Sequence, residues 1–352
     1  MRVLVVNAGS SSLKLRLVGA DDELLGACDL EPGGDVAAAL ADLGGADASG
    51  HRVVHGGARF VDPVVVDDTV VAELDELTAL APLHQPPALA AMAALRRAAP
   101  HLPAVACFDT AFHAGLPEAA ATYALPRVWR ERWPLRRYGF HGLSHAWAAR
   151  RAGGSRVITC HLGAGASLAA VRDGQCVDTT MGFTPLEGLV MATRSGDVDP
   201  GLLMWLLEHT DLSEAEVSEG LWHESGLQGL AGTADMREVL AAAARGETPA
   251  VLALGVYVHR LRAAIAAMAA ALGGLDALVF TGRVGERAPE VRSRAAAGLR
   301  FLGVALDEAA NAATTTDAEI GAPDAPARTL VIESREDLEI ARATRAALSR
   351  VG

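Results

Sequence analysis

The sequence predicts an α/β fold built from two related domains. Three observations carry this. Short apolar runs with strand character alternate along the 352-residue chain with helix-like stretches. Three of those runs end in turns rich in glycine. Two of the three resemble each other: residues 157–168 (Val-Ile-Thr-Cys-His-Leu-Gly-Ala-Gly-Ala-Ser-Leu) align with residues 3–13 (Val-Leu-Val-Val-Asn-Ala-Gly-Ser-Ser-Ser-Leu) after one inserted residue. The length itself favours about two domains.

The elements follow in order. Residues 3–6 form a first strand that runs into Asn7, Ala8, Gly9 and three serines. Leu13, Leu15 and Leu17 then alternate with Ser12, Lys14 and Arg16, so a second strand shows Ser12 and Lys14 on one face. Lysine plus arginine totals 31, and Lys14 is the single lysine. A compact ammonium behind a Gly- and Ser-rich turn suits a phosphate cradle of backbone N–H groups, hydroxyls and a point charge; a surface lysine on an ordinary hairpin is the alternative. A strand is expected over 51–55, closed by Gly56 and Gly57, with helices over 75–80 and 88–98. The strand 104–108 ends at Asp109, where carboxylates of α/β folds usually face the ligand. Residues 157–168 repeat the first hairpin. The Ala-rich run 263–272 is about half a bilayer span and reads as a buried helix. Finally, the strand 277–280 leads through Gly282 and Gly285 toward a helix over 289–299, an arrangement that binds nucleotides in open α/β folds.

Composition limits the partners. Hydrophobic residues make up 51% and charged residues 21%, which describes a globular chain with a large core, and with only 4% aromatics that core is mostly Ala, Leu and Val. A net charge of −12 argues against nonspecific nucleic-acid binding and against an anionic membrane surface. Cys28, Cys107, Cys160 and Cys176 show no CxxC spacing, so neither a zinc site nor a disulfide framework is expected and a cytoplasmic location is the default. The first apolar run is too short for a signal peptide.

Several segments exceed what a scaffold needs. They are Arg52-Val53-Val54-His55-Gly56-Gly57, Pro82-Leu83-His84, Phe108-Asp109-Thr110-Ala111-Phe112-His113 and Tyr138-Gly139-Phe140-His141-Gly142-Leu143-Ser144-His145, followed by Asp178-Thr179-Thr180-Met181-Gly182-Phe183-Thr184-Pro185-Leu186-Glu187-Gly188 and Thr193-Arg194-Ser195-Gly196-Asp197. With the N-terminal turn, in this order, they resemble the acetate kinases of the actin, Hsp70 and sugar-kinase superfamily, from Val3 to about Thr344. The resemblance implies two duplicated actin-like (ribonuclease H-like) domains around a central cleft. The first would hold residues 1–112 plus about 338–352, and the second, nucleotide-binding, residues 113–337. It implies reversible, direct in-line phosphoryl transfer between ATP and acetate with Mg²⁺ or Mn²⁺, in a cytoplasmic homodimer. By matching motif, Arg52 and Arg194 hold the carboxylate and the phosphoryl group, Asp109 is the essential acid, and His141 stabilises the transition state. Val54, Leu83, Phe140 and Pro185 line the methyl pocket, and Asn7 and Glu336 support the metal. Nucleotide contacts fall to Ser12, Lys14, His161, Leu162, Gly163, Ala164, Gly165, Asp235, Met236, Arg237, Gly282, Arg283, Val284, Gly285, Glu286 and Arg287.

Elementary chemistry agrees. Acetate and a phosphoryl group are both anionic, so bringing them together needs cations, and one well-placed arginine can be worth about 10³ in rate. Arg52 and Val54, two apart on a strand, would face the same way. For Arg194, with Asp197 and Asp199 close by in sequence, a loop ion pair is the alternative. The departures from the family pattern lie on the donor side: Ala164 stands for an Asn, Arg283 for a Gly and Arg287 for an Asn, while Gln85 for Asn is a milder change near the acceptor. Arg283 could stack on adenine or fill its pocket and favour pyrophosphate. Propionate or butyrate kinase, and a nucleotide-binding switch of the same fold without catalysis, are the remaining alternatives.

Overall fold

A computed structural model describes residues 1–8, 13–31, 34–82 and 84–350. The chain forms two compact units, the first of Met1–Ala114, Phe140–Trp147 and Arg335–Gly352, the second of Gly115–Gly139 and Ala148–Ser334. Relative to the expected boundaries, the segment Phe140–Trp147 groups with the first unit. The reason is local: the Gly142 N–H donates to the Asp109 carbonyl at 2.9 Å, and His113 Nε2 lies 3.0 Å from the Phe140 carbonyl oxygen.

The strands of the first unit are β1 (Val3–Ala8), β2 (Leu13–Val18), β3 (Leu24–Leu30), β4 (Ala48–Val53), β5 (Val64–Val65) and β6 (Ala104–Phe108). They form one sheet in the order β3-β2-β1-β4-β6-β5, in which β1, β4 and β6 are parallel neighbours and the other pairings are antiparallel. Of the parallel strands, β1 and β6 read as near-continuous apolar runs because both faces are covered, whereas β4 carries Ser49, Gly50, His51 and Arg52. One face carries Leu4, Val6, Val53, Ala104, Ala106 and Phe108 in apolar clusters with the helix Gln85–Ala98, whose Leu95 and Met92 are almost wholly buried. On the other lies the helix Glu336–Ser349. Gly50 is open to that helix: a Cβ there would run into Thr344 Oγ1 and Ile340. Cys107 Sγ donates to the Ile340 carbonyl at 3.9 Å on the same side.

The second unit repeats the plan. Its strands β7 (Arg156–Leu162), β8 (Ala166–Arg172), β9 (Gln175–Thr179), β10 (Ala277–Thr281), β11 (Ala318–Glu319) and β12 (Arg328–Val331) take the order β11-β12-β10-β7-β8-β9. Here too an antiparallel three-strand meander, β7-β8-β9, continues through two parallel neighbours, β10 and β12, to a short antiparallel edge strand. The resemblance between residues 3–13 and 157–168 is thus a resemblance between β1–β2 and β7–β8, and the duplicated actin-like architecture is present. The helix Thr248–Leu272 buries Leu254, Tyr257, Leu261, Ile265 and Met268 and packs on this sheet. It is long and apolar enough to cross a membrane, with 39% of its most apolar window buried.

Element limits differ from expectation in instructive ways. β4 begins at Ala48, with Gly50 in the sheet where a helix packs closely, and it ends at Val53. The expected helix 75–80 is the end of a longer one, Asp68–Glu76, capped by Asp67 and followed by a 3₁₀ turn, Leu77–Leu80. Pro86 and Pro87 sit in the first turn of Gln85–Ala98, where proline is tolerated, so that helix starts earlier than its apolar pattern. The third glycine turn is already a helix, Gly282–Arg287, leaving β10 directly.

Candidate active site

The carboxyl ends of β1, β4 and β6 bring three polar side chains together on one face of the first sheet. These are Asn7, Arg52 and Asp109. The Arg52 guanidinium embraces Asp109: Nη2 donates to Oδ2 at 2.5 Å, and Nε lies 3.2 Å from both carboxylate oxygens. Arg52 Nη1 donates to Asn7 Oδ1 at 3.2 Å. The first residue of Glu336–Ser349 closes the group, with Glu336 Oε2 3.4 Å from Asn7 Nδ2 and 3.7 Å from Arg52 Nε. Asp109 is 1% exposed, so its carboxylate has exchanged water for the guanidinium. Burial pushes its pKa above the ordinary carboxylate value, Arg52 pulls it back, and Glu336 adds to the push. Burial alone would weaken the Arg52 cation, but Asp109 and Glu336 outweigh it and the pKa is raised. The single guanidinium thus faces two carboxyl groups and an amide oxygen.

Of the other predicted acceptor residues, the first unit also holds Val54, Phe140 and His141. Phe140 is 1% exposed and meets the His55 ring edge-on at 5.5 Å. His141 holds φ +56, a left-handed backbone uncommon for residues other than glycine, and such conformations cluster at functional sites. Gly142 follows because a Cβ there would run into the Asp109 carbonyl oxygen. The backbone of 140–142 is therefore built onto Asp109. Val54 is 7% exposed and lies one residue beyond β4, so strand alternation with Arg52 does not extend to it. Lys14 is exposed on β2 opposite Asn7. Ser12 and Leu83 lie outside the described residues.

In the second unit the loop carrying Arg194 is tied to its surroundings mainly through the backbone. Ala192 N–H donates to Ala164, Ser195 N–H to Leu221, and Ser225 N–H to Thr193. Arg194 Nη1 donates to the Pro185 carbonyl at 3.0 Å, and its guanidinium lies 5.6 Å from the Trp222 ring centroid. These partners are neutral, and burial lowers the Arg194 pKa. The loop ion pair is not what holds it: Asp197 Oδ1 accepts instead from the Gly188 N–H at 2.8 Å. Among the described residues, Arg194 is thus held by a carbonyl and a ring and by no carboxylate.

The residues expected to contact the donor in that unit lie after β7, after β10 and at the start of the helix Met236–Ala244. Gly163, Ala164 and Gly165 form the tight turn after His161 and Leu162, with Gly163 N–H donating to Gly165 at 2.9 Å. Gly282 has φ +75, and a Cβ on it would meet the Leu162 carbonyl oxygen at 2.8 Å, so glycine is required there on both counts. Asp235 caps the helix that begins at Met236, and Arg237 Nη2 donates to its Oδ2 at 2.5 Å. That bond and the backbone hydrogen bond lower the Asp235 pKa to about 2, and the charge of Arg283 adds to the shift. Arg283 and Arg287 are exposed and Val284 is half-buried. Glu286 accepts from the Ser334 N–H at 2.8 Å, and burial raises its pKa.

A family model described as the acetokinase family matches residues 36–342. The chain belongs to the acetokinase family. It is 47% identical to the acetate kinase of Clavibacter michiganensis subsp. michiganensis, with 98% of both chains covered. Among solved structures, Porphyromonas gingivalis acetate kinase matches with a TM-score of 0.90 at 35% identity over 99% of each chain. A propionate kinase from Francisella tularensis subsp. tularensis matches with a TM-score of 0.91 at 34% identity, over 98% of this chain and 99% of that one.

Within this family member, some supporting residues escaped the motif-based reading. Arg292 is wholly buried and donates to the carbonyls of Gly285, Glu286 and Asn311 and to Asn311 Oδ1, fixing the end of the helix Gly282–Arg287. Because its acceptors are neutral backbone and amide oxygens, no acidic residue in the sequence flags it. Trp222, beneath Arg194, lies in a π-helical turn, Gly220–Glu224, a form frequent at functional sites.

Proposed function

We infer that this chain is an acetate kinase, catalysing reversible transfer of the terminal phosphoryl group of ATP to acetate. The observation that supports this best is the Asn7–Arg52–Asp109–Glu336 group at the carboxyl ends of parallel strands. An acetate oxygen bonds the terminal phosphorus as the bond to the bridging oxygen of ATP breaks, giving acetyl phosphate and ADP. Arg52 and Arg194 neutralise the anions that must approach each other. Asp109 orients Arg52, and His141 donates to the transferring group. Val54, Leu83, Phe140 and Pro185 receive the methyl group. The donor is held by Ser12, Lys14, the turn 161–165, the segment 235–237 and the helix Gly282–Arg287.

The residues present suit Mg²⁺. It takes oxygen ligands, is usually held by one or two carboxylates together with substrate phosphates, and rarely has a full protein cage. Asn7 and Glu336 would hold it. Among the described residues no group of three or more His, Cys, Asp or Glu side chains forms such a cage. The ion supplies charge neutralisation on the phosphates.

A homodimer fits the exposed apolar side chains Leu202, Met204 and Trp205 on the helix Pro200–His209 with Val251 and Leu252 on Thr248–Leu272. Light scattering of the purified protein tests it. The free thiols suit a reducing cytoplasm. The deciding experiment supplies acetate, Mg²⁺ and either ATP or pyrophosphate and measures acetyl phosphate. Turnover with ATP is expected. Turnover with pyrophosphate alone would reassign the donor and make Arg283 the residue that fills the adenosine pocket. The propionate kinase neighbour motivates a second assay with propionate, since one methylene changes binding by only about 1–3 kcal/mol.

A further inference from the structure

The segment 180–188 of the second unit, which carries Pro185, is held by a polar clamp that the motifs do not assign. Arg137 Nη1 donates to the carbonyls of Thr180 at 3.1 Å and Met181 at 3.0 Å. The N–H groups of Tyr138 and Gly139 donate to the Gly182 carbonyl. Phe183 N–H donates to the Tyr123 hydroxyl at 2.8 Å. Successive backbone groups from 180 to 183 are thereby taken up by residues of 123–139. Glu187 then joins both sides of the clamp, accepting from Arg137 Nη2 at 2.5 Å through one oxygen and from the Tyr123 hydroxyl through the other. Arg137 also lies over the Tyr123 ring at 5.5 Å. Gly182 leaves room for this: a Cβ there would run into Glu187 and the Tyr123 hydroxyl.

The far end is tied as well, through Gly188 N–H to Asp197 Oδ1. Between the two ties stands Pro185, and its carbonyl is the acceptor for Arg194 Nη1. Glu187, two residues from Pro185, thereby holds the stretch of backbone that carries both Pro185 and the carbonyl on which the Arg194 guanidinium is anchored.

We propose that Glu187, locked by Tyr123 and Arg137, is a positioning residue that sets Pro185 and Arg194 and thereby the enzyme's discrimination between two-carbon and three-carbon acids. This rests on the roles given above to Pro185 and Arg194. A pocket wall held from behind rejects an added methylene more strongly than a loop free to recede, and such a methylene is worth about 10–200-fold in a shaped apolar site.

The experiment measures kcat and KM for acetate and propionate in the wild type, Glu187→Gln and Tyr123→Phe, each checked by circular dichroism, together with hydrogen exchange at the Phe183 amide. The variants are expected to raise KM for acetate more than they lower kcat, and to raise the propionate-to-acetate ratio of kcat/KM about fivefold or more. Faster exchange at Phe183 is expected in Tyr123→Phe. A parallel fall of kcat for both acids at constant KM and constant ratio marks a merely structural role and overturns the proposal, as do wild-type constants throughout. Should Glu187→Gln not fold, Tyr123→Phe, which removes one oxygen atom, carries the same test. Wild-type enzyme that turned over neither acid would instead sink the underlying reading of the site. Normal wild-type turnover with an unmoved ratio in the variants sinks the clamp alone.

Discussion

Replacing Arg52 by methionine keeps most of the side-chain volume and removes the charge. The Asp109 carboxylate, 1% exposed, would then lose its three guanidinium contacts of 2.5–3.2 Å with no route to water. Removing one partner of a buried pair destabilises by about 3–5 kcal/mol, because the remaining charge is left uncompensated. In the double variant Arg52→Met/Asp109→Asn that charge is gone, and most of the loss should return, since replacing both partners by neutral groups of similar shape is often nearly neutral. Urea titrations followed by circular dichroism read the comparison, and the transition of the first unit should be the one that moves. Both variants should lose acetate turnover by about 10³-fold or more, the scale of an arginine in phosphoryl transfer. Two results would refute the reasoning: an Arg52→Met protein as stable as the wild type, or a double variant no more stable than the single one. Either would mean that Asp109 is not held by Arg52 in solution.

Further outcomes follow from the same geometry. His51, His55 and His113 are buried in the first unit, and burial lowers each pKa from 6.5 to about 4. A depressed histidine is neutral in the fold and binds its proton on unfolding, so stability is full above pH 6.5 and is lost as pH falls toward about 4, by up to about 1.4 kcal/mol per pH unit for each histidine. Urea midpoints between pH 7.5 and 5 should show that slope, and His51→Asn should flatten it. Arg292→Ala leaves the Gly285, Glu286 and Asn311 carbonyls without their donor in a wholly buried site, a loss of at least about 3 kcal/mol, together with a raised KM for the phosphoryl donor. Thermal melts and donor titrations test it. Gly142→Ala pushes a methyl group into the Asp109 carbonyl, and a displacement of that kind should lower kcat by about 10²-fold with little change in the far-ultraviolet spectrum.

Much of this was legible in the residues. Alternation of leucines with Lys14 and Arg16 marked β2, and continuous apolar runs marked β1, β6 and β10. Asp109 was conspicuous because a carboxylate ends a wholly apolar strand. What the chain order conceals is adjacency. Asn7, Arg52 and Asp109 meet because β1, β4 and β6 are parallel neighbours, and strand order within a sheet leaves no trace in any single segment. Glu336 arrives from the far end of the chain because the helix it begins packs across those same strands. Supporting groups were hidden for a different physical cause. Arg292 satisfies backbone carbonyls, which every residue possesses, and Arg137 does so while pairing with Glu187 fifty residues away, so no neighbour in sequence announces either. Glu187 lies inside a motif, but the sequence does not show that its two oxygens bind different partners. The start of β4 is hidden in the sequence because Gly50, a poor strand former, is there for close packing against Ile340 and Thr344.

The helix Glu336–Ser349, which covers one face of the first sheet, has a consequence for biosynthesis. Strands β1 to β6 leave the ribosome long before the helix they await, and until translation reaches it Val3, Val5, Val105 and Cys107 lack their apolar cover. Nascent chains paused anywhere before residue 336 should therefore engage holdase chaperones, and a synonymous change that slows elongation late in the message should lengthen that exposure without altering the finished protein.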